Sequence, residues 1–402
     1  AVLGFRLGGS VLKALAAAAL ALFSWRYFPY LVTLDAFALF ALAATAVFVA
    51  TSRLLTNLDW KPCLLLGFGC ALGHLARADG ALLFVAAAIT IALKGDPAQR
   101  RGQAGALAIA GAAYALFMMP WFLRNIAVAG TPILSGGLQT VFLREYNDIF
   151  TLGVSLDAAR YLADGIGPVI TSKISAGVIN LGIIFGLQLW LLPFSAVGWF
   201  AFRRSHDLAP VAVYGILLYT VMTLVFTFPG VRGSVVHSSA ALVPWLSITC
   251  VEGLERTVRW AATKLPHWNA AVAFPRFAAI LIGLSAGLSY ALAIERSREW
   301  NEEADAYRAV AAVVLADNPN AVPLLNNPPA WWYFTRDPAM QNPSNGLEPA
   351  IGAARAYGGT HIVLEPGRSR EWREFVRSEA TDPRLVQISD QGGYRVYRLV
   401  LP

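Results

Sequence analysis

Ionisable residues able to act on a phosphate gather at the ends of this chain's apolar segments and leave the interiors nearly bare. They are Asp35, Arg77, Asp79, Arg124, Glu145, Asp148, Arg232 and His237. Guanidinium groups hold phosphate oxygens through paired, charge-assisted hydrogen bonds and stabilise a phosphate as it leaves. A carboxylate removes the proton from an attacking hydroxyl. A carboxylate and a histidine together, here Asp35 and His237, also hold a divalent metal beside a phosphate. The mixture suits a reaction on a lipid-linked phosphate. Each residue also has an ordinary structural use. Asp35 suits a helix N-cap, Arg77 and Asp79 suit an ion pair capping the next helix, and the others suit interfacial anchors.

The elements that position these residues follow from composition. Of 402 residues, 56% are hydrophobic and only 14% charged, with 22 Phe and 12 Trp. A soluble domain carries about 25% charged residues, so a membrane protein is expected. Nine apolar stretches read as spans, near 13–28, 32–50, 62–76, 80–93, 104–122, 178–202, 208–228, 238–255 and 276–294. The run 208–228 has no ionisable residue and, at 1.5 Å per residue, makes about 31 Å of helix, enough for a hydrocarbon core of about 30 Å. The pair 62–76 and 80–93 is short, so the turn carrying Arg77 and Asp79 is expected below the membrane surface, where charge needs a partner or a wet cavity.

Alternating loops divide the cations. Arg6, Lys13, Arg53, Lys61, Lys94, Arg100, Arg101, Arg203, Arg204, Arg256, Arg259, Lys264 and Arg276 fall on one side, which the positive-inside rule makes cytoplasmic. The phosphate-competent set then faces outward. The net charge of +7 becomes a topology signal and nucleic-acid binding is not expected. A proton- or ion-coupled transporter keeps acids near the midplane; the charge-free interiors argue against that class. Cys63, Cys70 and Cys250 lie within apolar runs with no CxxC, which supports neither a disulfide framework nor a zinc site.

The expected fold is a polytopic α-helical membrane protein with a C-terminal extracytoplasmic α/β domain. Residues 1–294 form the helical domain, with outward interfacial helices within 125–177, and 295–402 the soluble domain. Patterns suggest interfacial helices over Gln139–Phe150 and Leu156–Ala163. In the tail they suggest helices over Glu299–Ala316, Pro349–Tyr357 and Glu371–Ser378, and strands over Val322–Leu325, His361–Leu364 and Tyr394–Leu401. The tail contains no GxGxxG, P-loop, HExxH or GxSxG motif.

Three stretches in order resemble the GT-C superfamily of membrane glycosyltransferases, in the branch of protein O-mannosyltransferases and aminoarabinose transferases. Gly73-His74-Leu75-Ala76-Arg77-Ala78-Asp79-Gly80 is similar to that branch's GLAxLTRPEG turn, with Ala78 for the usual Pro and Asp79 for the frequent Glu. Pro120-Trp121-Phe122-Leu123-Arg124-Asn125 followed by Gly130-Thr131-Pro132 resembles its PWxxRNxxxxGxP element. Phe228-Pro229-Gly230-Val231-Arg232-Gly233 with His237 and Pro244 resembles its late outward loop. Asn326-Asn327-Pro328-Pro329-Ala330-Trp331-Trp332-Tyr333 resembles bacterial extracytoplasmic tails.

The resemblance implies a polyprenyl-phosphate sugar as donor and a glycan, lipid or protein hydroxyl as acceptor, in the inner or plasma membrane. With this resemblance, donor-phosphate contacts are expected of Arg77, Arg124, Arg232 and His237, donor or metal orientation of Asp35, and acceptor-side contacts of Asp79, Asn125, Glu145 and Tyr146. No cofactor is required by it, though a divalent metal at Asp35 and His237 is compatible. The family's catalytic Asp lies in a first large outward loop that has no counterpart here. Together with the initial Ala, this leads to the expectation that a helical pair precedes residue 1. Two other classes fit the composition: a transporter or lipid flippase, and a non-catalytic membrane scaffold or sensor.

Overall fold

The computed structural model describes residues 1–402 except Leu34, 134–139, 144–145, 227–232, Pro266, Ala380 and Pro402. In chain order the helices are α1 (Val2–Gly8), α2 (Val11–Leu22), α3 (Phe28–Leu31), α4 (Phe37–Leu54), α5 (Trp60–Ala76), α6 (Leu82–Lys94), α7 (Arg100–Ala129), α8 (Ala158–Leu162) and α9 (Ile166–Gly186). They continue with α10 (Leu192–Phe202), α11 (Ala209–Thr220), α12 (Ser234–Ser238), α13 (Val243–Lys264), α14 (Ala270–Asp317), α15 (Pro328–Thr335), α16 (Leu347–Tyr357) and α17 (Arg370–Arg377). The strands are β1 (Pro323–Leu325), β2 (Met340–Gln341), β3 (His361–Leu364), β4 (Leu385–Gln391) and β5 (Tyr394–Leu399). The chain folds as two compact units. One comprises residues 1–141 and 166–294, the other 142–165 and 295–402.

Five helical stretches among the described residues are long and apolar enough to cross a membrane, the last of them starting in the first unit. They are Phe37–Leu54, Pro97–Ala129, Ile166–Gly186, Ser234–Lys264 and Ala270–Asp317. Shorter apolar helices lie at Val11–Leu22, Leu189–Phe202 and Ala209–Val225. Lipid gives apolar faces no net drive to associate, so helices adhere through small residues that let backbones approach. Gly67 of α5 sits against α7 so closely that a Cβ there would lie 2.5 Å from the Ala110 carbonyl oxygen, and one at Gly69 would lie 2.9 Å from Val47 of α4. On α4, Phe40, Ala44, Val47, Phe48 and Thr51 recur at helical spacing and are sealed.

Two expectations for this unit change. The apolar run 178–202 is two helices, because α9 ends at Gly186, Leu189 has a positive φ of 42° and Pro193 opens α10. α9 also begins at Ile166, earlier than hydropathy suggests, since Ser172, Lys173 and Ser175 lower the local average without breaking a helix. The run 208–228 leaves α-helical geometry at Val221–Val225, a π turn. There Asn180 donates to the Met222 carbonyl at 3.1 Å and Lys173 to that of Leu224.

The second unit has a five-stranded sheet in the order β2-β1-β3-β5-β4. β1 pairs in parallel with β2 and β3, while β5 runs antiparallel to β3 and β4. Side chains on successive strand residues point to opposite faces. Leu325, Val363 and Val396 accordingly pack with Tyr307, Val310 and Val314 of α14 and Trp331 of α15. Leu324, Ile362, Leu364 and Tyr397 pack with Ala350 and Ala354 of α16 and Trp372 of α17. β4 escapes sequence reading because Leu-Val-Gln-Ile-Ser-Asp-Gln is a largely exposed edge strand. The segment 142–165 belongs to this unit and not to the helical part to which sequence reading assigned it. Its backbone groups need partners, and the second unit supplies them. The Ser344 N–H donates to the Phe150 carbonyl at 3.0 Å, and Asn345 exchanges two hydrogen bonds with Leu152. Where a helix over 139–150 was expected, the described residues form short 3-10 turns at Thr140–Phe142 and Tyr146–Phe150, with residues 139, 144 and 145 outside the described residues.

His361 gives this unit a pH dependence. Its imidazole is sealed between Thr360, 2.9 Å from Nδ1, and Asp317, 3.1 Å from Nε2. Burial lowers its pKa below the ordinary 6.5, and Asp317 offsets part of that. The unfolded chain therefore binds more protons than the folded unit between these two values. Stability is complete above about 6.5 and is lost as pH falls through the folded value. Hydrogen exchange of the β3 amides is expected to accelerate as pH drops from neutral to mildly acidic values, after correction for intrinsic rates. His361→Gln, which keeps a donor toward Asp317, should flatten that dependence; an unchanged slope would remove His361 as its source.

Candidate functional site

α5 ends at Ala76, and Arg77 turns out of the helix with extended backbone, φ −156°. A 3-10 turn over Ala78–Ala81 then leads into α6. The turn folds back so tightly that a Cβ at Gly80 would sit 2.2 Å from the Gly73 carbonyl oxygen, so only glycine fits. This geometry aims Arg77 at Asp79: Nε lies 3.0 Å from Oδ1 and Nη2 3.5 Å from Oδ2. Ser238, at the end of α12, completes the group. Its hydroxyl donates to Asp79 Oδ2 and accepts from Arg77 Nε at 3.3 Å.

α12 is too short to hold itself and is pinned by two buried tyrosines. Tyr214 of α11 donates to the Ser238 carbonyl at 3.0 Å. Tyr27 donates to the Val236 carbonyl at 2.6 Å, with its oxygen 2.9 Å from Ser239 Oγ. His237 is thereby fixed beside Ser238, its ring stacked on Phe37 at 4.2 Å between centroids. His237 Nε2 lies 3.7 Å from Asp35 Oδ1, and its Nδ1 is buried with no hydrogen-bond partner among the described residues. Asp35 Oδ1 also accepts from the Ala36 N–H at 2.5 Å, just before α4.

Asp35, Arg77, Asp79 and His237 thus come together, with Ser238 as the bridge. Their side chains are 34%, 18%, 14% and 24% exposed, so they are half-open to solvent, not sealed. The Arg77–Asp79 pair and the Asp35 backbone bond are also the ordinary structural uses of these residues, and the group does both. Ser238, Tyr27 and Tyr214 were not legible as site residues. Serine and tyrosine in apolar helices are common, and only adjacency to His237 marked Ser238.

The remaining candidates fall elsewhere. Arg124 donates to Asn125 Oδ1 at 3.2 Å and lies over the Trp121 ring at 5.0 Å. Asn125 donates to the Pro132 carbonyl at 3.1 Å and secures the chain after α7. No hydrogen bond or ion pair among the described residues joins Arg124 to Arg77. Tyr146 lies in the second unit, its ring edge-on to Phe150. Arg232 and Glu145 lie outside the described residues. No cluster of three His, Cys, Asp or Glu suited to a metal occurs among the described residues. Asp35 and His237 are two donors, one already engaged by a backbone N–H, which falls short of a protein-built metal site.

A second charged group occupies the far end of α4. The Ser52 hydroxyl donates to Asp207 at 2.5 Å, and Arg6 pairs with Asp207 at 3.3 Å. Lys13 pairs with Glu252 and Glu255, which also engage Arg256 and Arg259 along α13. Asp35 and Ser52 are separated by about 25 Å of helix axis. The two polar groups therefore mark opposite ends of the unit. Comparison of the chain with protein-family models, curated proteins and solved structures gives no significant match.

Proposed function

We propose that the protein is a polytopic membrane glycosyltransferase with about nine spans and an extracytoplasmic C-terminal unit, taking a sugar from a polyprenyl-phosphate donor to a hydroxyl acceptor. The observation that carries the proposal is the joining of Arg77, Asp79, Ser238, His237 and Asp35 at one end of the helical unit. The far end holds most of the paired cytoplasmic-type cations.

In this reading the acceptor oxygen attacks the anomeric carbon, the carbon–oxygen bond to phosphate breaks, and polyprenyl phosphate leaves, taking up the proton that the acceptor hydroxyl gives up. Charge grows on the departing phosphate, and a fixed guanidinium aimed at it favours the transition state over the ground state. Arg77 is held through Nε by Asp79 and Ser238, which leaves Nη1 to meet a phosphate oxygen. Asp79 is thereby a positioning residue, a different use from the acceptor-side contact expected above. Asp35 retains a carboxylate oxygen to accept a sugar hydroxyl, and His237 contributes a donor on the phosphate side. Arg232, on the chain just before α12, is proposed as the second phosphate cation.

The test is a transfer assay with a radiolabelled polyprenyl-phosphate sugar and the protein in sealed proteoliposomes. Donor consumption with label appearing on a glycan, lipid or protein acceptor supports the reading. Intact donor accumulating on the opposite side without transfer would replace it with a flippase.

A further inference from the structure

The β4–β5 hairpin and α17 border an open hollow of about 220 Å³ lined by Arg368, Arg373, Arg377, Arg395 and a single carboxylate, Asp390. The sequence arranges this. Arg373 and Arg377 stand four residues apart and so are neighbours on the surface of α17, beside the Arg370–Glu374 pair at 2.8 Å. Trp372 anchors the helix in the core and donates from Nε1 to the Pro343 carbonyl at 2.7 Å. Arg395 pairs with Asp390 at 2.8 Å, which uses the one acid.

Among the described residues the other three guanidiniums have no carboxylate partner. Arg368 donates to the carbonyls of Glu365 and Gly393 at 2.9 and 2.8 Å, and Arg373 donates to that of Arg368 at 2.8 Å. Arg377 makes no ion pair or hydrogen bond among the described residues. Arg368 is partly buried, and burial followed by the neighbouring Arg395 lowers its pKa below the usual arginine value. Like charges four apart on a helix repel, so a fold that gathers four cations around one acid is relieved by an anion. Arg368 is fixed by carbonyls on two sides, so it is preorganised and loses little freedom on binding.

We infer that this hollow binds a phosphate or diphosphate group, with Arg368, Arg373 and Arg377 as its principal contacts. The volume admits a diphosphate or a sugar phosphate, and guanidinium forks match phosphate oxygens in pairs. The inference does not rest on the glycosyltransferase reading, because every residue involved belongs to the second unit.

Calorimetric titration of the full chain in neutral detergent with inorganic pyrophosphate at low ionic strength tests it. Saturable binding that weakens at least about tenfold in the Arg373→Gln/Arg377→Gln variant is expected, while Arg77→Gln leaves this binding event in place. Both arginines are exposed, so the double variant should melt as the parent does. No saturable binding, or binding unaffected by the double variant, overturns the inference. Repeating the titration in phosphatidylcholine nanodiscs with and without phosphatidic acid distinguishes the sources. Competition by the acidic lipid assigns the natural phosphate to a lipid headgroup, and undiminished pyrophosphate binding assigns it to a soluble phosphate ester.

Discussion

Arg77→Ala is expected to lower sugar transfer from a polyprenyl-phosphate donor by about 10²–10³-fold, the scale seen when one preorganised donor to a developing anion is removed. The loss should fall mainly in kcat, because the guanidinium gains most where phosphate charge is greatest. Arg77→Lys should recover little, since an ammonium cannot bridge Asp79 and Ser238 while presenting a second N–H face. A purely structural Arg77 makes a different prediction. Removing one member of a half-buried pair leaves the other charge uncompensated, so Arg77→Ala would lose activity through instability. The Arg77→Ala/Asp79→Asn variant separates the two, because it removes both charges and should restore the melting temperature. Activity that returns with stability would make the pair an anchor; activity that stays low while stability returns places Arg77 on the phosphate.

The ends of helices were the legible part of this molecule. Arg77, Asp79, Asp35 and His237 are polar residues where an apolar run stops, and a helix that stops there must present them at its rim. Spacing could not reveal which rims adjoin. Arg124 lies near a helix end of the same apparent kind, yet it stands ten residues along α7 beyond Tyr114, whose hydroxyl touches His74 Nδ1 at 2.5 Å. That overhang is about 15 Å, and Arg124 meets Trp121 and Asn125 instead. Hydropathy also misjudged boundaries where helix and apolarity part company. α14 continues unbroken from Ala270 to Asp317, although its apolar run stops near Ile294. Beyond that point Arg296–Glu299 and Arg308–Asp305 pairs at helical spacing favour the same backbone in a polar setting. The break at Leu189 carries no glycine or proline at its own position; Gly186 and Pro193 bracket it, but the uninterrupted apolarity across them hid the boundary.

Gly253→Ala is expected to be the most damaging single-methyl change in the helical unit, costing about 3 kcal/mol or more as overpacking against a rigid neighbour. A Cβ at Gly253 would lie 1.8 Å from the Phe194 carbonyl oxygen, and one at Gly198 would lie 1.8 Å from that of Thr249. Both obstacles are backbone, which cannot rotate away as a side chain does. α10 and α13 must therefore separate by more than an ångström along their whole contact, and lipid offers no hydrophobic penalty to hold them together. Gly198→Ala should cost as much, but the double variant less than the sum, because the first methyl opens the gap that the second needs. Gly283→Ala and Gly287→Ala in α14 are the controls. Nothing lies within 4 Å of either Cβ, so better helix propensity should leave stability equal or slightly raised. Thermal unfolding in detergent reads all five variants, and equal melting of Gly253→Ala and Gly283→Ala would refute the close contact. The same displacement reaches the candidate site, since α13 follows directly from the segment carrying His237 and Ser238. Gly253→Ala protein that remains folded should therefore lose the Ser238–Asp79 bridge and transfer sugar more slowly, although residue 253 lies four helical turns from His237.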